Sequence, residues 1–151
     1  EESRGKYNLV VEKVQHAYDL TNNLGKVAIS LKQSGLKGIE ELKIETGNPV
    51  NAMLYPKAKD IKDAFEIVGK PAAFEYKYDG FRTQIHKFEN KIEIFTRNLE
   101  NVSEQFPELK EAIISNVKSN NCILDGEAVG YDSKTGKYLP FQVISQRIKR
   151  K

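Results

Sequence analysis

The chain has 151 residues, 24 of them Lys or Arg against 21 Asp or Glu, for a formal net charge of +3. That length accommodates one full domain or parts of two, and so small a charge permits nucleic-acid contact without demanding it, so any binding site must come from local clusters. A single cysteine, Cys122, excludes an internal disulfide, and no apolar run approaches the roughly 18 residues of a membrane span. The opening EESRGKYNLV lacks the apolar centre of a signal peptide, so the expected location is intracellular, cytoplasmic in a prokaryote and nuclear in a eukaryote. With no initiating Met and an end at SQRIKRK that carries no turn or cap, both termini read as cut from something longer.

In chain order, residues 7–20 set Tyr7, Val10, Val11, Val14, Ala17 and Tyr18 on one helical face, the spacing of a core-facing helix. Residues 23–33 continue with Leu24, Val27, Ala28 and Leu31, and Ser34-Gly35 offers a C-terminal stop for a second helix. Two helices bury little alone, so residues 1–46 are expected to be the tail of a larger helical domain with its linker. ETGNPVNAMLYPKAKD, rich in Gly, Pro and Asn, reads as an extended connection. The boundary falls near Gly47, with a second domain over 47–151.

Asp60 is placed to cap a helix carrying Ile61, Ala64, Phe65 and Val68, ended by Gly69 with Pro71 just beyond. From residue 72 the period becomes two: AAFEYKY alternates Phe74, Tyr76 and Tyr78 toward a core with Glu75, Lys77 and Asp79 toward a cleft or water. FRTQIHKFENKIEIFTR predicts two strands joined at Glu89-Asn90, and residues 107–117 a helix opening on Pro107. NCILDGEAVGYD reads as a further strand, followed by a turn at SKTG before KYLPFQVIS. Short antiparallel strands with interspersed helices make the fold class α+β.

The stretch EYKYDGFR, residues 75–82, sets Lys77 between two carboxylates with an arginine five positions on. A strand lysine of this kind is ordinarily solvated and paired, here with Glu75 or Asp79. Nucleophilic use needs surroundings that favour the free amine. Arg82 and a bound Mg²⁺ would push that way, and Glu75 and Asp79 the other way unless a cation offsets them.

KYDGFR resembles the first motif, KxDGxR, of the covalent nucleotidyltransferases, which comprise DNA ligases, RNA ligases and messenger-RNA capping enzymes. FTRN at 95–98 is similar to the family's next element, with Arg97 at the phosphate-meeting arginine, and LDGEAV at 124–129 to its third motif, with Asp125 and Glu127 on one strand face. Taken alone, TRN would be a solvated arginine and LDGE a turn; in order behind KYDGFR they gain meaning. GNPVNAML and PFQVISQRIKRK resemble the linker and the FQ-type signature of ATP-dependent DNA ligases of the archaeal and eukaryotic kind, and the two leading helices the end of their DNA-binding domain.

The resemblance implies a role for each of these residues. Lys77 would attack the α-phosphate of ATP and retain AMP, and Glu75 would accept a hydrogen bond from the adenine amine. Arg82 and Arg97 would contact the nucleotide and later the 5′-phosphate of a nick. Glu127 would bind ribose or help hold Mg²⁺. Asp79 would support the strand and turn, and Phe141 would be structural. Nicked duplex DNA and ATP are the expected partners, in replication, repair and recombination. The family's stacking aromatic, second glutamate motif, lysine motif and OB-fold domain are not found in the chain. These 151 residues are therefore expected to be nearly or wholly inactive in nick sealing, and a half-built sheet leaves self-association through its edge open. The alternatives are an RNA ligase or capping-type nucleotidyltransferase, and a non-catalytic nucleic-acid-binding module using the basic RIKRK tail on phosphates.

Overall fold

A computed structural model describes residues 2–148. Helix α1 (Glu2–Thr21) and helix α2 (Leu24–Glu40) are joined by Asn22 and Asn23. Asn22 takes a positive φ of 46°, which a short polar side chain tolerates. Asn23 caps α2 by accepting from the Lys26 backbone N–H at 2.9 Å.

The two helices pack through Ala17, Val27 and Ile39, with Val14, Tyr18, Leu31 and Leu42 around them. Only the second half of α1 meets α2, so the expected burial of Tyr7, Val10 and Val11 does not occur; Tyr7 is 69% exposed. The stop expected at Ser34-Gly35 is instead a kink. Gly35 adopts φ 63°, and the helix resumes to bring Ile39 into the same cluster as Val27. Residues 42–60 then run without helix or strand, as the Gly, Pro and Asn content requires.

Helix α3 (Ile61–Val68) begins and ends as its sequence predicts. The Asp60 carboxylate accepts from the Asp63 N–H at 2.9 Å, and Gly69 closes the helix with φ 80°. Its apolar face is only partly covered: Phe65 meets the Phe74 ring edge-on at 6.0 Å, while Ile61 and Val68 stay exposed.

The strand expected over 72–78 is not formed. Alternation assigns side chains to two faces, but a strand also needs a neighbour to bond, and no described strand runs beside this one. Phe74 and Tyr76 are accordingly not core residues, being 82% and 89% exposed. Tyr78 is half-exposed, its ring edge-on to Tyr138 at 5.7 Å.

Strands β1 (Phe81–Phe88) and β2 (Lys91–Thr96) form the predicted hairpin, and β1 pairs on its other side with β3 (Cys122–Ala128). Between them lie a short 3-10 turn, Ser103–Gln105, and helix α4 (Pro107–Asn116). The segment read as one strand over 121–132 is two. Strand β4 (Gly130–Asp132) leaves the three-stranded sheet and pairs with β5 (Lys137–Leu139) across the SKTG turn. Helix α5 (Phe141–Ile148) follows. The mixture of helices and antiparallel strands is the expected α+β class.

The main core lies on one face of the sheet. Phe81, Ile85, Ile92, Ile94, Val102 and Phe106 are buried there, covered by Leu109 and Ile113 of α4 and by Phe141, Ile144 and Ile148 of α5. Arg147 ties α5 to α4: its guanidinium pairs with Glu108, donates to the Gln105 carbonyl and lies 4.5 Å over the Phe106 ring. That pairing holds the Glu108 carboxyl below its usual range. Gln84 and His86 of β1, also buried, meet residues 47–50 of the connection.

Candidate active site

In an antiparallel sheet the start of one strand lies beside the ends of its neighbours. Arg82 opens β1, Arg97 follows the last residue of β2, and Glu127 stands near the end of β3, directly across from Arg82 in register. Three residues spread over 45 positions of sequence thus meet at one end of the sheet. They line a cleft of about 540 Å³ with Lys77. Ala52 to Tyr55 form another wall, and Phe141, Ser145 and Ile148 of α5 a third. A second hollow adjoins it, sharing Lys77, Arg82 and Glu127 and adding Glu75, Tyr76, Tyr78, Asp125 and Gly126.

All five residues singled out from the sequence, Lys77, Glu75, Arg82, Arg97 and Glu127, therefore stand around these two hollows. Glu75 lines the second hollow and Arg97 the first, while Lys77, Arg82 and Glu127 line both. Glu75 and Lys77 share a segment that is not a strand, so their relation is not that of neighbours on a sheet face.

Among the described residues Lys77 takes part in no hydrogen bond or ion pair, so neither Glu75 nor Asp79 clamps its amine. Asp79 is engaged elsewhere, accepting from the Phe141 backbone N–H at 3.1 Å at the first turn of α5. A carboxylate there also meets the positive end of the helix. The Lys-x-Asp spacing thus joins the lysine's loop to the helix that walls the cleft. Gly80 has an equally local cause. A Cβ at this position would lie 2.3 Å from the Ala128 carbonyl oxygen, so only glycine allows β1 to start against the end of β3.

Arg82 is held by Asp125, a partner the sequence did not reveal. Its Nε donates to Asp125 Oδ1 at 2.9 Å and its Nη2 to Oδ2, a forked pair reaching diagonally from the Arg82–Glu127 register position. Hydrogen bonding to Asp125, more than the nearby Glu127, raises the Arg82 guanidinium further above its ordinary range. That pairing fixes the guanidinium and leaves its Nη1 without a hydrogen bond among the described residues, open to a ligand. Glu127 itself accepts no hydrogen bond among the described residues, which leaves its carboxylate available in the cleft. The other wall residues, Ala52 to Tyr55, were legible only as an apolar run, Ala-Met-Leu-Tyr, inside a linker.

A reactive-amine candidate beside two arginines and a free carboxylate, at the mouth of an antiparallel sheet, defines a cleft suited to phosphate-bearing ligands. Comparison with known proteins narrows the class. Residues 52–151 match the family model of the ATP dependent DNA ligase domain. The chain is 45% identical over 145 residues to a DNA ligase of Nanoarchaeum equitans, covering 96% of this chain and 26% of that protein. It is 44% identical to DNA ligase 2 of Methanosarcina acetivorans, covering 96% and 25%, and 41% identical to a DNA ligase of Sulfolobus acidocaldarius, covering 91% and 23%. The chain belongs to the ATP-dependent DNA ligase family. It spans about a quarter of the length of these relatives.

Proposed function

We propose that this chain carries the nucleotide-attacking part of an ATP-dependent DNA ligase, and that Lys77 is its nucleophile. Residues 47–151 are read as the first part of the adenylation domain, and residues 1–46 as the final helices and linker of a DNA-binding domain. The Lys77 amine attacks the α-phosphorus of ATP, forming a P–N bond as the bond to pyrophosphate breaks, and the amine proton leaves to solvent or phosphate. AMP then passes to the 5′-phosphate of a nick, and a 3′-hydroxyl displaces it to join the strands. Arg82 and Arg97 neutralise phosphate charge with planar forks, and Glu75 accepts from the adenine amine.

A divalent ion is tested by the donor set. Among the described residues no three carboxylate, imidazole or thiol groups gather. Mg²⁺ commonly keeps several waters and the substrate's own phosphate oxygens, so one carboxylate is enough, and Glu127 fits that part. The ion would supply positive charge beside the phosphates.

The observation that carries this reading is an amine that makes no hydrogen bond or ion pair among the described residues and lines one cleft with Arg82, Arg97 and Glu127. Roles in replication, repair and recombination, and location inside the cell, follow from the family reading. Among the described residues no helix is long and apolar enough to cross a membrane. The test is labelled AMP on full-length protein. Lys77→Ala should abolish attachment, and Lys77→Arg should too, since a guanidinium keeps its proton and is a poor nucleophile. Labelling in either variant sinks the assignment. Labelling by GTP in place of ATP, or sealing of RNA but not DNA, would favour a capping-type enzyme or an RNA ligase.

A further inference from the structure

The connection between the helical pair and the sheet has no regular structure, yet it is bonded on both sides. Gln84 reaches out from β1 and treats Val50 as a strand neighbour would. Its Oε1 accepts from the Val50 N–H at 3.1 Å and its Nε2 donates to the Val50 carbonyl. Two positions on, His86 Nδ1 accepts from the Gly47 N–H at 2.9 Å. That bond decides the tautomer: Nδ1 must be bare, so the ring proton sits on Nε2, facing Gln84 Oε1 at 3.4 Å. Both side chains are buried, His86 completely. On the opposite side Asn48 donates to the Thr21 carbonyl and Asn51 to the Asn22 side chain at 2.8 Å.

Ala52, the first residue of the cleft wall that ends at Tyr55, follows Val50 by two residues, a reach of at most about 7 Å. Residues 52–55 have no helix or strand of their own to hold them. We infer that Gln84 and His86 are positioning residues for ATP: by docking residues 47–50 on the back of β1 they fix the Ala52–Tyr55 wall over the Lys77 cleft. Neither touches the nucleotide. They act on ATP affinity through the strap, and the AMP-transfer step, carried by Lys77 and the arginines, is left alone. The inference rests on the proposed reading of the cleft as an ATP site.

Protonation of His86 would set an N–H against the Gly47 N–H and release that end of the strap. Glu93 stands opposite His86 on β2, itself paired with Lys91, the Phe95 ring meets the imidazole edge-on at 5.1 Å, Ile123 is its register partner on β3, and the Gly47 backbone N–H meets it from the strap.

The experiment combines amide exchange with AMP-attachment kinetics in the full-length protein. Gln84→Met removes both bonds to Val50 while keeping length. It should speed exchange at Val50 and across 51–55, raise the KM for ATP about tenfold, as loss of one or two buried hydrogen bonds predicts, and leave kcat within about twofold. His86→Phe should act in the same direction, and His86→Asn, whose Oδ1 can accept from Gly47, should restore the unaltered KM. The rise in KM as pH falls below 6.5 should be smaller in His86→Asn than in the unaltered protein. An unchanged KM in Gln84→Met with faster strap exchange overturns the inference, as does a loss confined to kcat. If the variants do not fold, exchange in the unaltered protein decides: Gly47 and Val50 amides slowed at least about 100-fold support docking, and rates of an unstructured peptide overturn it. Protected strap amides with no AMP on the unaltered protein would sink the proposed reaction while leaving the docked strap standing.

Discussion

Gly80 joins the lysine's loop to the first strand of the sheet, and replacing it with alanine should test how closely that junction is built. The added Cβ would sit 2.3 Å from the Ala128 carbonyl oxygen and 3.0 Å from Ala128 C and Glu127 Cγ. The first distance is more than 1 Å inside the optimum of about 3.5 Å for nonbonded contacts. Glu127 can swing aside, but the Ala128 carbonyl is backbone and cannot move without opening the Phe81–Ala128 end of the β1–β3 pairing. Overpacking commonly costs about 1–3 kcal/mol, and a backbone obstacle argues for the upper end, about 3 kcal/mol. At about 2–4 °C per kcal/mol for a chain of this size, the melting temperature should fall about 6–12 °C. Gly126→Ala on β3 is the matched control, because a Cβ there meets nothing within 4 Å. It should be neutral or stabilising by up to about 1 kcal/mol, since glycine is a poor strand residue. Thermal unfolding followed by far-ultraviolet circular dichroism reads both. Equal melting temperatures for the two variants would refute the steric account of the Asp-Gly pair.

Glu75→Ala and Glu127→Ala should each lower the efficiency of ATP use roughly tenfold or more in AMP attachment, the worth of one charge-assisted hydrogen bond; unchanged ATP dependence in both would mean the nucleotide sits elsewhere. Asp60→Ala removes the cap of α3 at a local cost of about 1 kcal/mol. Because α3 has no buried residue, the loss should appear as faster amide exchange within 61–68 and hardly in the global melt. Burial lowers the pKa of His86 from its ordinary 6.5, with Glu93 opposing the shift. The unfolded chain therefore takes up this proton before the folded one does. Stability from this group is complete above pH 6.5 and declines as pH falls from there through the folded value. Melts between pH 7.5 and 5.5 should show a larger loss in the unaltered chain than in His86→Asn, and parallel curves would contradict that sign.

The caps and turns were legible in the residues because each is decided within four or five positions. Asp60 at the start of α3, Gly69 at its end, the Glu89-Asn90 hairpin and Pro107 at the head of α4 all lie where the sequence places them. The candidate residues that line the cleft were legible too, but as an ordered set of short motifs, KYDGFR, FTRN and LDGEAV; nothing in their spacing along the chain says that Arg82, Arg97 and Glu127 share one end of a sheet. That convergence follows only from the order β2-β1-β3.

Tertiary structure alone decided which apolar faces found a cover. Tyr7, Val10 and Val11 have the right period yet lie beyond the reach of α2, and Phe74 and Tyr76 alternate correctly without a strand beside them. The partners of Arg82, Asp79 and Gln84 were likewise hidden. They lie 43, 62 and 34 positions away, at Asp125, Phe141 and Val50. Period and propensity are local, so the sequence by itself placed both ends of α3, the head of α4 and the hairpin turn and offered the candidate side chains for the chemistry, while the continuation of α2 past Gly35 and the start of α5 were not legible in it. A hydrogen bond across the fold depends on where two distant backbones come to rest, and that only packing settles.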